Sequence, residues 1–328
     1  MKIGINHMLL PEADPVFYEQ WWDSIKSWAK LIRVDTHMDA YAWRKDIFTV
    51  FSDGTSPIDK FMSLANRCTS DKIDIDFIRD GTPPATSSHW NTVGDWSSCL
   101  PPNTWREAKV PREAWASVNT WINNAAKILS QSGRMVRWQP NNEQFFRAKD
   151  QHTYARLRNI YIQPSYGHRW TSPVLWGKRD QLLQSIAEWE TLHHYDAGVS
   201  RASYLAVNIY PDWTPGVTVD TASNVKRQVE NLILVSDWAS AQGYQLIIPE
   251  FGFHVNQVPE GEAKRVELTA FVIQCMKTLP IDSATLYWDS GDYNISNAGL
   301  AALAPQIASA PSAEHYAYVA NLREQIVV

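Results

Sequence analysis

Short runs rich in isoleucine and valine alternate along this chain with longer stretches whose apolar residues recur every three or four positions. The first pattern reads as a buried β-strand and the second as an amphipathic helix. Eight runs stand out: Lys2–Asn6, Leu31–Asp35, Ile73–Ile78, Met135–Gln139, Pro173–Trp176, Tyr204–Tyr210, Gln245–Ile248 and Ala284–Trp288. Around them the spacing predicts helices over Phe17–Trp28, Ile58–Ala65, Arg112–Ser130, Gln181–Leu192, Val225–Ala241, Gly261–Leu279 and His315–Gln325. Pro111 stands near the start of the third helix, where a missing N–H is tolerated.

Parallel strands buried on both faces should be almost continuously apolar, and most of these are. The third run, with Asp74 and Asp76, alternates instead. A doubly wound open sheet would carry a glycine-rich turn after its first strand, and no G-x-G-x-x-G is present. The expected fold is therefore α/β, a single (β/α)₈ barrel domain over residues 1–328. A long loop rich in proline and tryptophan, from Asp80 to Val110, joins the third strand to the third helix.

Composition narrows the function classes. The net charge is −5 and the lysines and arginines are scattered, so neither a nucleic-acid footprint nor an anionic-membrane segment is expected. No run approaches a membrane span. The three cysteines, Cys68, Cys99 and Cys275, form no zinc pattern; a Cys68–Cys99 bridge and free thiols both remain open. No metal or cofactor is expected, and the chain is expected to act as a monomer. The 16 tryptophans are unusual, and many fall in loop-like stretches. Some must pack the core, but flat aromatic faces at a surface also suit the C–H faces of sugar rings.

A barrel of this kind presents its chemistry at the C-terminal ends of its strands. The fourth run is followed by Pro140-Asn141-Asn142-Glu143-Gln144, and the seventh by Pro249-Glu250-Phe251-Gly252-Phe253. A lone glutamate after a strand is ordinarily a solvated loop residue. Two of them, three βα units apart at one mouth, form the pair that glycosidic cleavage requires: an acid for the leaving oxygen and a carboxylate to attack or to activate water.

Here the neighbouring residues become specific. Asn142-Glu143 resembles the Asn-Glu pair that carries the acid/base in clan A glycoside hydrolases. Ile248-Pro249-Glu250-Phe251-Gly252 resembles the strand-7 nucleophile motif of family 5, the cellulase and mannanase family, and Gly4-Ile5-Asn6 is similar to that family's opening strand. The resemblance implies a retaining hydrolase with Glu143 as acid/base and Glu250 as nucleophile. It places Arg33 beside the nucleophile, Tyr210 on it as a hydrogen-bond donor, and Trp288 as a sugar-stacking aromatic. Asn142 would then meet the sugar 2-hydroxyl. Asn208, Trp138, His37, His89, Trp90 and Trp176 complete the expected substrate-binding set. Two departures keep the clan firmer than the family: Gln144 follows the acid/base where family 5 has proline, and Asn208-Ile209-Tyr210 replaces the usual His-x-Tyr.

The resemblance implies a carbohydrate substrate; the long loop after the third strand and the many mouth-side tryptophans point to a cleft with several sugar subsites and endo action on a β-linked polymer, and a polymer substrate implies export. The opening MKIGINHMLLPEADP, however, carries no apolar segment followed by a small-residue cleavage site. Two alternatives stay open. A metal-dependent barrel hydrolase could use His7 and Asp289, although Asn6-His7-Met8 lacks the His-x-His such enzymes need. A barrel that binds glycans without cleaving them is the other.

Overall fold

The structure, a computed structural model, describes residues 1–8, 15–37, 54–80, 127–139, 169–170, 173–175, 204–211, 220–287 and 293–326. Its strands are β1 (Lys2–Met8), β2 (Leu31–His37), β3 (Asp74–Asp80), β4 (Met135–Gln139), β5 (Arg169–Trp170), β6 (Pro173–Leu175), β7 (Tyr204–Asn208), β8 (Gln245–Phe251) and β9 (Ile281–Leu286). Its helices are α1 (Pro15–Ile25), α2 (Pro57–Asp71), α3 (Thr221–Gln242), α4 (Glu262–Met276), α5 (Asn297–Ala308) and α6 (Ala313–Ile326). Residues 127–131 are also helical, the end of the helix expected over Arg112–Ser130. The expected helix Gln181–Leu192, the loop beyond Asp80, Cys99 and Asp289 lie outside the described residues.

Every ladder is parallel, and the strand order is β5-β4-β3-β2-β1-β9-β8-β7-β6. The two edges, β5 and β6, are separated in sequence only by Thr171 and Ser172. They are halves of one stave: β5 pairs back to β4 and β6 pairs forward to β7. The sheet thus closes as a (β/α)₈ barrel of eight staves, as the eight apolar runs predict.

The alternation of strand side chains divides the barrel into two environments. Ile3, Ile5, Ile32, Val34, Ile75, Phe77, Leu205, Val207, Leu246, Ile248, Ala284 and Leu286 belong to the large core between strands and helices. The opposite positions face the lumen and are largely polar: Asn6, Arg33, Asp76, Arg137, Asn208, Ser283 and Thr285 are all buried. Tyr204, Ala206 and Ile247 form a small apolar cluster of their own on β7 and β8. The alternation of the third run is thereby explained, because its aspartates take the lumen side while Ile75 and Phe77 take the helix side.

Helix ends follow local chemistry. Ser56 and Asp59 cap α2 reciprocally, the Ser56 Oγ accepting from the Asp59 amide and the Asp59 carboxylate accepting from the Ser56 amide at 2.9 Å. Asp220 caps α3 by accepting from the Ser223 amide at 3.0 Å. The helix α5 was not among those expected from the spacing. Ser296 caps it, and Leu300, Leu303 and Ile307 bury its inner face, but Pro305 inside it breaks the usual pattern.

Gly4 is needed where it stands. It lies opposite Leu31 in the β1–β2 ladder, and a Cβ there would come 2.2 Å from the Leu31 carbonyl oxygen. The variant Gly4→Ala is expected to lose about 1–3 kcal/mol, the usual cost of overpacking a closed site, read as a lower urea midpoint at unchanged slope. A midpoint equal to wild type would contradict the close approach.

Cys68 and Cys275 are buried free thiols. Burial, aided by the nearby Asp71 charge, pushes the Cys68 thiol up to about 12; burial and Glu314 do the same to Cys275. Neither is expected to react with a thiol-specific reagent at pH 8 in the native protein, whereas both should react in denaturant. Native labelling at either position, mapped by peptide mass, would refute this.

Candidate active site

Glu250 owes its position to an irregularity in its strand. By simple alternation it would share the outward direction of Leu246 and Ile248, which contribute to the helix-side core. The β8–β9 register shifts between Ile248 and Phe251, and it is Phe251 that joins that core. Pro249, which cannot donate to a ladder, occupies the shift, and the Thr285 hydroxyl donates to the Pro249 carbonyl from β9. Past the shift the Ile209 amide donates to the Glu250 carbonyl at 2.8 Å and the Tyr287 amide to the Phe251 carbonyl at 2.8 Å. The bulge turns Glu250 into the mouth.

There Glu250 is 4% exposed, and an ionised carboxylate so buried needs partners. Arg33, fully buried, reaches across from β2 and donates from Nη1 to Oε1 at 2.7 Å. The Tyr210 hydroxyl donates to Oε2 at 2.8 Å. Burial first, then the charge of Glu250 and the neighbouring Tyr287 and Tyr293, hold the Tyr210 phenol well above its ordinary range, so it stays a neutral donor.

An aromatic wall encloses Tyr210. The Tyr287 ring meets it edge-on at 6.1 Å and the Tyr293 ring at 5.4 Å, and these two lie 5.4 Å from each other. His254 adds an edge contact to Tyr293 at 5.2 Å, while its Nδ1 accepts from the Asn256 amide at 3.1 Å and caps a 3₁₀ turn over Val255–Gln257. His254 is thus a structural hydrogen-bonder.

Of the residues expected at the site, Glu250, Arg33 and Tyr210 are in direct contact. Asn208 is fully buried at the C-terminal end of β7, on the lumen side. His37 closes β2 and Trp138 lies next to the end of β4, both at the C-terminal rim. Asn142, Glu143, His89, Trp90, Trp176 and Trp288 lie outside the described residues. Sequence reasoning missed Tyr287, Tyr293 and Thr285. The proline at 249, directly after the seventh apolar run, was the one available sign of the bulge.

Removing Arg33 should leave Glu250 buried without a counter-charge. Arg33→Gln is expected to cost about 3–5 kcal/mol in denaturant unfolding, and adding Glu250→Gln should recover most of that loss. Additive losses in the double variant would mean the two side chains do not interact.

No family model and no curated protein matches the sequence. Solved structures do match in shape. A family 5 xyloglucanase from Paenibacillus pabuli aligns with TM-score 0.57 and 10% identity over 94% of this chain and 98% of its own. The endo-β-1,4-mannanase of Thermotoga petrophila aligns with TM-score 0.62 and 11% identity over 93% and 76%. A glycoside hydrolase family 5 mannosidase from Rhizomucor miehei aligns with TM-score 0.56 and 10% identity over 99% and 94%. The chain therefore has the (β/α)₈ fold of family 5 glycoside hydrolases, with Glu250 on the seventh stave of that barrel.

Proposed function

We propose that the chain is a retaining glycoside hydrolase that cleaves a β-linked polysaccharide or oligosaccharide internally, with Glu250 as nucleophile and Glu143 as acid/base. The observation that carries this reading is the setting of Glu250: a nearly buried carboxylate at a barrel mouth, bonded by Arg33 and Tyr210. A group so arranged is ready to attack. The likeness in fold to a xyloglucanase and an endo-mannanase supports the substrate class.

In the proposed cycle a Glu250 oxygen attacks the anomeric carbon while the glycosidic C–O bond breaks. Glu143 gives its proton to the departing oxygen. The product of this step is a glycosyl ester on Glu250. Water then attacks the same carbon, Glu143 takes its proton, and the ester opens to regenerate the Glu250 carboxylate. Two inversions leave the anomeric configuration unchanged. Tyr210, its bond to Glu250 released as the ester forms, is placed to follow the developing charge.

Reducing-end release from soluble β-glucans, β-mannans, xyloglucan and β-galactan tests the reading. Wild type should act on at least one polymer, and Glu250→Ala and Glu143→Ala should each lose roughly 1,000-fold or more in kcat. Proton NMR of the fresh product should show the β-anomer first. Activity that survives both substitutions would remove the carboxylates from the mechanism. A folded wild type that binds these polymers without cutting any would favour a binding barrel.

A further inference from the structure

Below Glu250 a second set of charges fills the lumen. On β3, Asp76 is 2% exposed and lies directly opposite Arg33 in the β2–β3 ladder, on the same lumen face. Arg137 of β4 grips Asp76 with two bonds, Nε to Oδ1 at 2.7 Å and Nη2 to Oδ2 at 2.7 Å. The same guanidinium crosses the barrel to β9, donating to Asp282 Oδ2 at 3.0 Å and Ser283 Oγ at 2.6 Å, and it lies 5.1 Å from the Tyr204 ring centroid. The charges alternate from mouth to floor: Glu250, Arg33, Asp76, Arg137, Asp282. Only the last is open to water, its side chain 41% exposed.

We infer that Asp76, held by Arg137, is a positioning residue that sets the ionisation of Glu250 by sharing the charge of Arg33. The inference rests on reading Glu250 as the nucleophile. A buried ion pair gives little stability over apolar packing of the same volume, so stability alone does not account for Asp76 and Arg137. Electrostatics does. When Glu250 becomes an ester its negative charge disappears, and Arg33 would be left buried without a counter-ion. Asp76, beside it and untouched by the chemistry, supplies that counter-ion in both halves of the cycle. In the resting state Asp76 also draws on Arg33, leaving Glu250 less tightly stabilised and more nucleophilic than with Arg33 to itself.

Glu250 is faced by Arg33 from β2 and Tyr210 after β7, and Tyr287 and Tyr293 pack against Tyr210. Asp76 is faced by Arg33, Arg137 and Asp282. Burial holds the Asp76 carboxyl above its ordinary range, against the downward pull of Arg137 and then Arg33. Arg137 stays cationic, because Asp76 and Asp282 outweigh the effect of burial on it.

The test is ¹³C NMR titration of the glutamate carboxyls, with the Glu250 signal assigned by its loss in Glu250→Gln. In Asp76→Asn, Arg33 acts on Glu250 alone, and the Glu250 pKa should fall by about half a unit or more, a threefold or larger change in its ionisation constant. Asp76→Asn/Arg137→Gln removes both charges of the buried pair and strands only Asp282, which is open to water, so it serves if the single variant fails to fold. Its expected shift is in the same direction and smaller. The acid limb of kcat/KM should move to lower pH with the NMR value. An unmoved or raised Glu250 pKa in the variants overturns the inference. Because the NMR reading needs no turnover, an inactive wild type would refute the glycosidase reading alone.

Discussion

The structure turns on a fully buried arginine bonded to a nearly buried glutamate at the centre of a closed barrel. A charge in that position has no water to solvate it, so each must find its opposite within hydrogen-bond reach. Arg33 can reach Glu250 only if β2 and β8 face each other across the lumen and if both side chains point inward. The first condition is met by closure of the sheet and the second, for Glu250, by the shift at Pro249. Fold and site are thus conditions of each other.

The polar lumen has a consequence for how stability is distributed. Apolar burial lies between staves and helices, where strand residues such as Ile5, Val34, Phe77 and Val207 pack with Trp21, Phe61, Val229 and Ile273. The lumen contributes little of this; what it contributes is definition. Charges that must pair in one geometry resist register slips, since a one-residue slip would carry Asp76 or Arg33 into the apolar helix layer. A core built this way separates two tasks: the outer layer keeps the barrel folded, and the inner column holds one carboxylate in a fixed electrical environment. The aromatic wall of Tyr287 and Tyr293 packs edge-on against Tyr210, whose hydroxyl donates to Glu250.

Much of this was legible in the chain. Seven of the eight apolar runs are full staves, and the weakest, Pro173–Trp176, proves to be half of a stave whose other half is Arg169–Trp170. It read weakly because Arg169–Trp170 and Pro173–Leu175 are too short to build the run of isoleucine and valine that marks a buried strand. Helix α5 escaped because Pro305 argues locally against a helix, whereas burial of Leu300 and Leu303 decides for it. That Arg33 and Tyr210 would meet Glu250 was expected from strand ends and motif likeness, and the three are bonded. Tyr287, Tyr293 and the Asp76–Arg137 pair were not expected, since they carry no local signature and are joined only across strands distant in sequence.

What the sequence determined by itself was the periodicity of its apolar residues, and with it the alternation of strand and helix and the residues at the strand ends. These depend on neighbours a few positions apart, which the chain displays directly. Only the tertiary structure decided which way those residues face and which of them meet. Arg33 and Glu250 lie in different βα units, and Arg137 bonds to two other staves; such pairings are created by closure of the sheet. The bulge at Pro249 is of the same kind. Its effect on Glu250 comes from the fit of β8 against β9, a constraint between strands that neither strand contains alone.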